Sequence, residues 1–192
     1  IAQVLMETGF GESKLWVAED LGTQTERFHS FQAAKLADAD TGFSPLNVVI
    51  VETCGPGGVL PEFPGIPDER FSTGAEPGKG LLSKREVRLT ILSLLAPQAG
   101  EVGWDVGAGC GGVSVEWARW NPGGEVHAVE YHPERLEHLG INRERFGVVA
   151  NLHIVAGRAP ETLADLPDPH AAFIGGSSGD LREMLDAVWA RL

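Results

Sequence analysis

The residues with the clearest chemical content lie in one stretch, Val102-Gly103-Trp104-Asp105-Val106-Gly107-Ala108-Gly109-Cys110-Gly111-Gly112. A strand-like run carries an acid near its end and passes into a loop with glycine at alternate positions, after which a helical pattern begins. Glycine permits positive φ and lets a ligand approach bare backbone, and the first turn of a helix offers unpaired N–H groups. Glu130 follows about 20 residues on, at the end of the next strand-like run. A carboxylate there can accept hydrogen bonds from both hydroxyls of a ribose. Loop and acid together point to an adenosine-type ligand at the carboxyl ends of a parallel sheet.

Two ligand classes share this pattern. Gly107, Gly109 and Gly112 satisfy the G-x-G-x-x-G fingerprint of dinucleotide binders. Asp105-x-Gly107-x-Gly109-x-Gly111 is equally the acid-initiated motif of S-adenosylmethionine-dependent methyltransferases. The charge of Asp105 favours the second, because a carboxylate repels a diphosphate but attracts the ammonium and sulfonium of a methionine moiety. Asp105 can also hold the turn by accepting loop N–H groups, and the two roles are compatible.

Three weaker features surround the motif. The loop of residues 175–179, Gly-Gly-Ser-Ser-Gly, follows another strand-like run on the same side and can line the transfer site with backbone. It lacks the Asn/Asp-Pro-Pro-Tyr arrangement that grips an amino nitrogen, which disfavours amino-group methylation of DNA. Lys79, Lys84, Arg85 and Arg88 form a basic patch, with Lys84 and Arg88 four apart on a helical pattern. Arginine pairs well with carboxylates, so the patch is either a surface for a polycarboxylate substrate or a solvated helix face. Histidines 29, 127, 132, 138, 153 and 170 show no ligand spacing. No catalytic acid, base or metal ligand is assigned, and Trp104, Trp117, Trp120 and Trp189 are expected in the core.

These residues need elements to hold them. Short apolar runs at 101–106, 125–130, 152–155 and 171–174 alternate with helical patterns at 83–96, 113–120, 133–146 and 180–192. That alternation marks βαβ units and a parallel sheet. Ser83 with Glu86 reads as a capping box, ahead of Val87, Ile91, Leu94 and Leu95 at helical spacing. Residues 1–55 differ, with a helical pattern at 1–7, a glycine turn at 9–11, a β-like run at 15–18, a polar stretch containing residues 33–37 and a β-branched strand at 46–51. Seven prolines and glycines between residues 55 and 65 prevent regular structure, so residues 56–80 read as a linker between 1–55 and 81–192. A four-stranded parallel sheet ending in a helix leaves an open edge, so further strands are expected beyond it.

Composition bounds the class. The 192 residues are 43% hydrophobic and 22% charged, with 27 acidic against 15 basic residues and a net charge of -12. A dedicated nucleic-acid surface is disfavoured by that balance. Two cysteines in unrelated contexts, Cys54 and Cys110, indicate neither a disulfide scaffold nor a zinc module. Apolar runs are too short to cross a bilayer and no signal peptide is evident, so a cytoplasmic protein is expected.

Four segments in order resemble a known family: Gly80-Leu-Leu-Ser83-Lys-Arg-Glu-Val-Arg, the motif beginning at Trp104, Gly157-Arg-Ala-Pro-Glu161, and Phe173-Ile-Gly-Gly-Ser-Ser-Gly179. They are similar to the precorrin C15-methyltransferases of cobalamin biosynthesis, which also form the C-terminal half of the precorrin-6Y C5,15-methyltransferases (decarboxylating). Gly65-Ile-Pro-Asp-Glu-Arg-Phe looks like the entry to that module. Residues 1–55, ending in Pro45-Leu-Asn-Val-Val-Ile-Val-Glu, resemble the tail of a tetrapyrrole methylase α/β domain that performs the C5 methylation. The resemblance implies a class I, Rossmann-like α/β methyltransferase shortened at both ends. Its cofactor would be S-adenosylmethionine, contacted by Ser83, Gly107, Ala108, Gly109, Cys110, Gly111, Glu130 and Ala159. It implies a precorrin tetrapyrrole as partner, methylated at C15 with loss of the C12 acetate carboxyl, and a homo-oligomer without membrane or nucleic acid. One departure stands out. The family usually has Gly-Asp-Ala-Pro-Glu where this chain has Arg158, which removes the acid expected near the adenine amino group. A methyltransferase acting on another small molecule or on RNA, and a nicotinamide-dependent oxidoreductase or nucleotide-binding module, are the alternatives.

Overall fold

The computed structural model describes residues 1–55, 64–177, 179 and 181–192. Two compact units divide the chain, one of residues 1–59 with 144–150 and the other of residues 60–143 with 151–192.

In the first unit, α1 (Ala2–Glu7), β1 (Lys14–Glu19), β2 (Arg27–Gln32), α2 (Ala33–Ala37) and β3 (Asn47–Glu52) follow in order. The sheet is antiparallel with β1 between β2 and β3. Leu15 and Val17 alternate inward from β1, as the β-like run requires. Strand β2 was not legible as a strand, because Phe28 and Phe31 do not repeat at period two and Phe28 is exposed. Glu19 is buried, and a backbone N–H from Ser44 with His29 and Arg27 beside it holds its carboxyl below the usual range against the opposing effect of burial.

The second unit carries α3 (Arg85–Leu95), β4 (Val102–Val106), α4 (Gly112–Trp120), β5 (Glu125–Glu130), α5 (Pro133–Arg145), β6 (Leu152–Ala156), β7 (Ala171–Ile174) and α6 (Leu181–Trp189). Every strand pairing is parallel and the order is β6-β5-β4-β7. After β4 the chain builds outward through β5 and β6, then returns to add β7 on the other side of β4. A parallel sheet leaves a crevice at such a switch, outside the carboxyl ends of its strands. Trp104, Val106, Val129, Leu163, Met184 and Val188 form one core cluster.

The sequence expectation is corrected at two points. The capping box does not form: α3 starts at Arg85 with Lys84 as N-cap and no side-chain cap bond. Its buried face is Arg88 and Leu92, while Val87 and Leu94 are exposed. Of the four tryptophans, Trp104 and Trp117 are buried, but Trp189 is 81% exposed, because α6 buries Met184 and Val188 and turns Leu181, Leu185 and Trp189 away from them. Residues 64–80 hold only one short 3-10 turn, Asp68–Arg70, yet place Ile66 and Phe71 in the buried interior.

Candidate functional site

A cleft of about 430 Å³ opens at the carboxyl end of β4, walled by residues 80–83, the 107–109 loop, Glu130 with Tyr131, and the backbone of Gly175 and Gly176. Five of the eight residues named above line it: Ser83, Gly107, Ala108, Gly109 and Glu130. Cys110 and Gly111 lie buried in the turn behind it. Burial is the main cause pushing the Cys110 thiol up, which leaves it protonated and inert. Ala159 lines a small adjoining cavity that shares Gly107, Glu130, Tyr131 and Gly176 with the cleft.

The loop is fixed by backbone demands. Gly107, Gly109 and Gly111 have φ of 77°, 60° and 85°. A Cβ on Gly107 would lie 2.8 Å from both N and O of Gly176, so the two glycine loops meet without side chains. The Gly107 and Ala108 amides both donate to the Val129 carbonyl. Asn142 of α5, wholly buried, donates to the Cys110 carbonyl at 2.8 Å.

Two carboxylates face this space. Glu130 is 2% exposed and accepts from the N–H groups of Gly109, Tyr131 and His132 at 2.8 to 2.9 Å. Asp105 is 1% exposed and accepts the Ser114 hydroxyl on one oxygen, while Oδ1 is buried without a partner. Burial pushes Asp105 up to about 6, with the charge of Glu130 adding to the rise. Arg135, which also lines the cleft, lies 3.7 Å from Glu130 and offsets part of this charge, so the site keeps an anionic bias and an unanswered acceptor at Asp105. An ammonium or sulfonium answers both, and a diphosphate answers neither. The glycine cradle, the orphan acceptor and the strand-end acid all fit S-adenosylmethionine.

The basic patch is partly dismantled. Arg88 is fully buried and cannot meet a substrate. It donates to Asp68 and to the Ser83 carbonyl at 2.6 Å each, to Glu116 at 3.3 Å and to the Ile66 carbonyl, with its guanidinium over the Phe71 ring. Glu116 in turn accepts the amides of Gly65 and Ile66. Arg88 thus holds the wall of the cleft through Ser83. Lys79, Lys84 and Arg85 remain exposed. Sequence reading also missed Tyr131 and Arg135 as lining residues. Arg158 stacks over the Tyr131 ring at 4.3 Å.

The family described as "Precorrin methyltransferase domain" matches residues 77–192. The chain belongs to this family. Precorrin-6Y C(5,15)-methyltransferase (decarboxylating) of a Sinorhizobium species is 39% identical over 192 residues, 99% of this chain and 45% of that protein. The chain thus spans about half the length of such curated relatives. A probable cobalt-precorrin-6B C(15)-methyltransferase (decarboxylating) of Pyrobaculum calidifontis is 42% identical over 131 residues, 67% of this chain and 65% of that protein. The crystal structure of precorrin-6Y C5,15-methyltransferase from Geobacter metallireducens superposes with a TM-score of 0.63 and 45% identity, over 67% of this chain and 66% of that one. A Geobacter sulfurreducens S-adenosylmethionine-dependent methyltransferase in complex with S-adenosylhomocysteine shares the fold, with a TM-score of 0.51, 19% identity and coverage of 58% and 45% of the two chains. This precorrin methyltransferase domain has the Rossmann-like architecture expected of class I enzymes. Among the described residues no helix is long and apolar enough to cross a membrane.

Two of the histidines without ligand spacing in sequence are brought together by strand pairing. His127 and His153, far apart in sequence, are ladder partners on β5 and β6, and Glu125 lies two residues before His127 on the same strand. Strand register, which spacing along the chain does not reveal, assembles them.

Proposed function

We propose that the protein transfers a methyl group from S-adenosylmethionine to C15 of a precorrin-6-type tetrapyrrole, with loss of the C12 acetate carboxyl as carbon dioxide. The observation that carries this reading is the pair of buried carboxylates, Asp105 with one oxygen unpartnered and Glu130 at the strand end, facing one glycine-walled cleft. Family membership supports the methyl-transfer class, and the names of the Sinorhizobium and Pyrobaculum relatives support the substrate.

In this reading Glu130 takes the ribose hydroxyls, Asp105 neutralises the methionine ammonium, and Ser83 with residues 107–111 supplies backbone contacts. Ala159 flanks the adenine, with Arg158 and Tyr131 beside it. Bound S-adenosylmethionine supplies an electrophilic methyl on a sulfonium. The protein's own residues bind, align and exclude water, a proximity effect that can provide much of the barrier reduction. Lys84, exposed next to the Ser83 wall with its ammonium on the Gly78 carbonyl and 3.7 Å from Asp68, is read as a contact for substrate carboxylates, as is Arg135 in the cleft lining. Residues 1–55 are read as the tail of a C5-methylating tetrapyrrole methylase domain. The setting proposed is the cytoplasm, as a homo-oligomer, without nucleic acid.

Calorimetric titration with S-adenosylhomocysteine and NAD tests the cofactor, and turnover with a precorrin-6-type tetrapyrrole, followed by mass spectrometry, tests the substrate. The expected product gains one methyl and loses one carboxyl. Binding of NAD in preference to S-adenosylhomocysteine would overturn the reading. Lys84→Glu is expected to raise KM for the tetrapyrrole severalfold while leaving cofactor Kd unchanged.

A further inference from the structure

At the opposite end of the same sheet, Glu125, His127 and His153 form a cluster that the methyl-transfer reading does not use. Glu125 and His127 are first and third in β5 and so share a face, and His153 is the ladder partner of His127 on β6. The imidazole rings stack with centroids 4.9 Å apart and planes 27° from parallel. Glu125 Oε2 lies 3.5 Å from His127 Nε2 and 3.8 Å from His153 Nε2, and one ligand atom from each residue falls within 4.8 Å of the others. These gaps exceed hydrogen-bond length. Both Nε2 atoms are buried with no hydrogen-bond partner, and His127 is only 8% exposed.

Two buried ring nitrogens stand 3.5 and 3.8 Å from one carboxylate oxygen, a spacing that leaves room for an ion among the three. Tetrahedral coordination at about 2.0–2.1 Å sets ligand atoms about 3.3 Å apart, close to the two gaps already present. Two imidazoles with one carboxylate and no thiolate suit a borderline divalent ion such as Zn²⁺ or Co²⁺ rather than Mg²⁺ or Cu⁺. Ladder pairing fixes the backbone under all three ligands, which gives strand-borne sites their precision.

We propose that Glu125, His127 and His153 form a binding site for one divalent transition-metal ion, with a fourth position open to water or another ligand. It lies at the amino ends of β5 and β6, whereas Glu130 and the glycine loop lie at the carboxyl ends of β5 and β4. The metal therefore stands apart from the cofactor cleft.

The test is titration of metal-stripped protein with Co²⁺, followed by visible absorption, and with Zn²⁺ by calorimetry. One equivalent is expected to bind, without the sulfur charge-transfer absorption that Cys54 or Cys110 would produce. His153→Gln and Glu125→Gln are each expected to weaken binding at least tenfold, and His132→Gln to leave it unchanged. Glu125 is half-exposed, so Glu125→Gln is expected to retain its fold, checked by circular dichroism. Zn²⁺ is expected to raise the Tm of the parent protein and not of the two weakened variants. Absence of saturable binding at one equivalent, or binding indifferent to both substitutions, would overturn the proposal.

Discussion

Asp105 has one oxygen bound by Ser114 and one oxygen with nothing to accept, and that asymmetry has measurable consequences. Its folded value of about 6 stands above the ordinary 3.8. The folded protein therefore holds a proton there that the unfolded chain releases. The associated stability is fully present below the unfolded value and is lost as pH rises through about 6. A rise of that size corresponds to about 3 kcal/mol. Asp105→Asn, which can still accept from Ser114, is expected to raise urea stability of the unliganded protein at pH 8 by up to about 3 kcal/mol and to change little at pH 4. The same variant is expected to lose S-adenosylhomocysteine binding. In the parent protein, affinity for that ligand should weaken as pH falls below about 6, as protonation of Asp105 removes the charge that meets the ammonium; a flat profile would remove its assigned role. Glu130→Gln, which halves the acceptor capacity and abolishes the charge, is expected to weaken the ligand about tenfold or more by calorimetry. Arg88 behaves differently. Arg88→Met removes the cation from the buried Glu116 carboxylate, leaving it the Gly65 and Ile66 amides, and is expected to cost about 3–5 kcal/mol in denaturant melts.

At the scale of elements, the meeting of the 107 and 175–176 loops separates two glycines that look alike in sequence. Gly107→Ala combines positive φ with contact at 2.8 Å and is expected to abolish cofactor binding and lower Tm. At Gly176 an added Cβ meets nothing within 4 Å, so Gly176→Ala is expected to fold normally. The alternation of β4 to β7 with α4, α5 and α6 was readable because buried parallel strands are short apolar runs. The strand-end acids and glycines of the cleft were readable because φ and charge constrain residue type. The phase of α3 was not, since its buried face contains an arginine, a residue ordinarily left in solvent. Nor was β2, which has no period-two apolar pattern and owes its conformation to pairing with β1. The Glu125, His127 and His153 cluster depends on register between strands, which no spacing along one chain encodes.

At the scale of the whole molecule, every described residue lining the cleft belongs to the unit of residues 60–143 and 151–192. The net charge of -12 is spread over the chain, while the cleft's own anionic character comes from Asp105 and Glu130. The network around Arg88 reaches back to Gly65, Ile66, Asp68 and Phe71, well before the first helix of that unit. This sets where the chain can be cut. A piece starting at residue 81, where the regular alternation begins, would leave a guanidinium and the Glu116 carboxylate in the interior with most of their partners removed, and should come out insoluble. A piece starting at residue 60 retains Gly65, Ile66, Asp68 and Phe71 around Arg88 and Glu116 and should bind S-adenosylhomocysteine within about threefold of the longer chain. The segment from Gly65 to Phe71, which reads like a tether, works as a keystone.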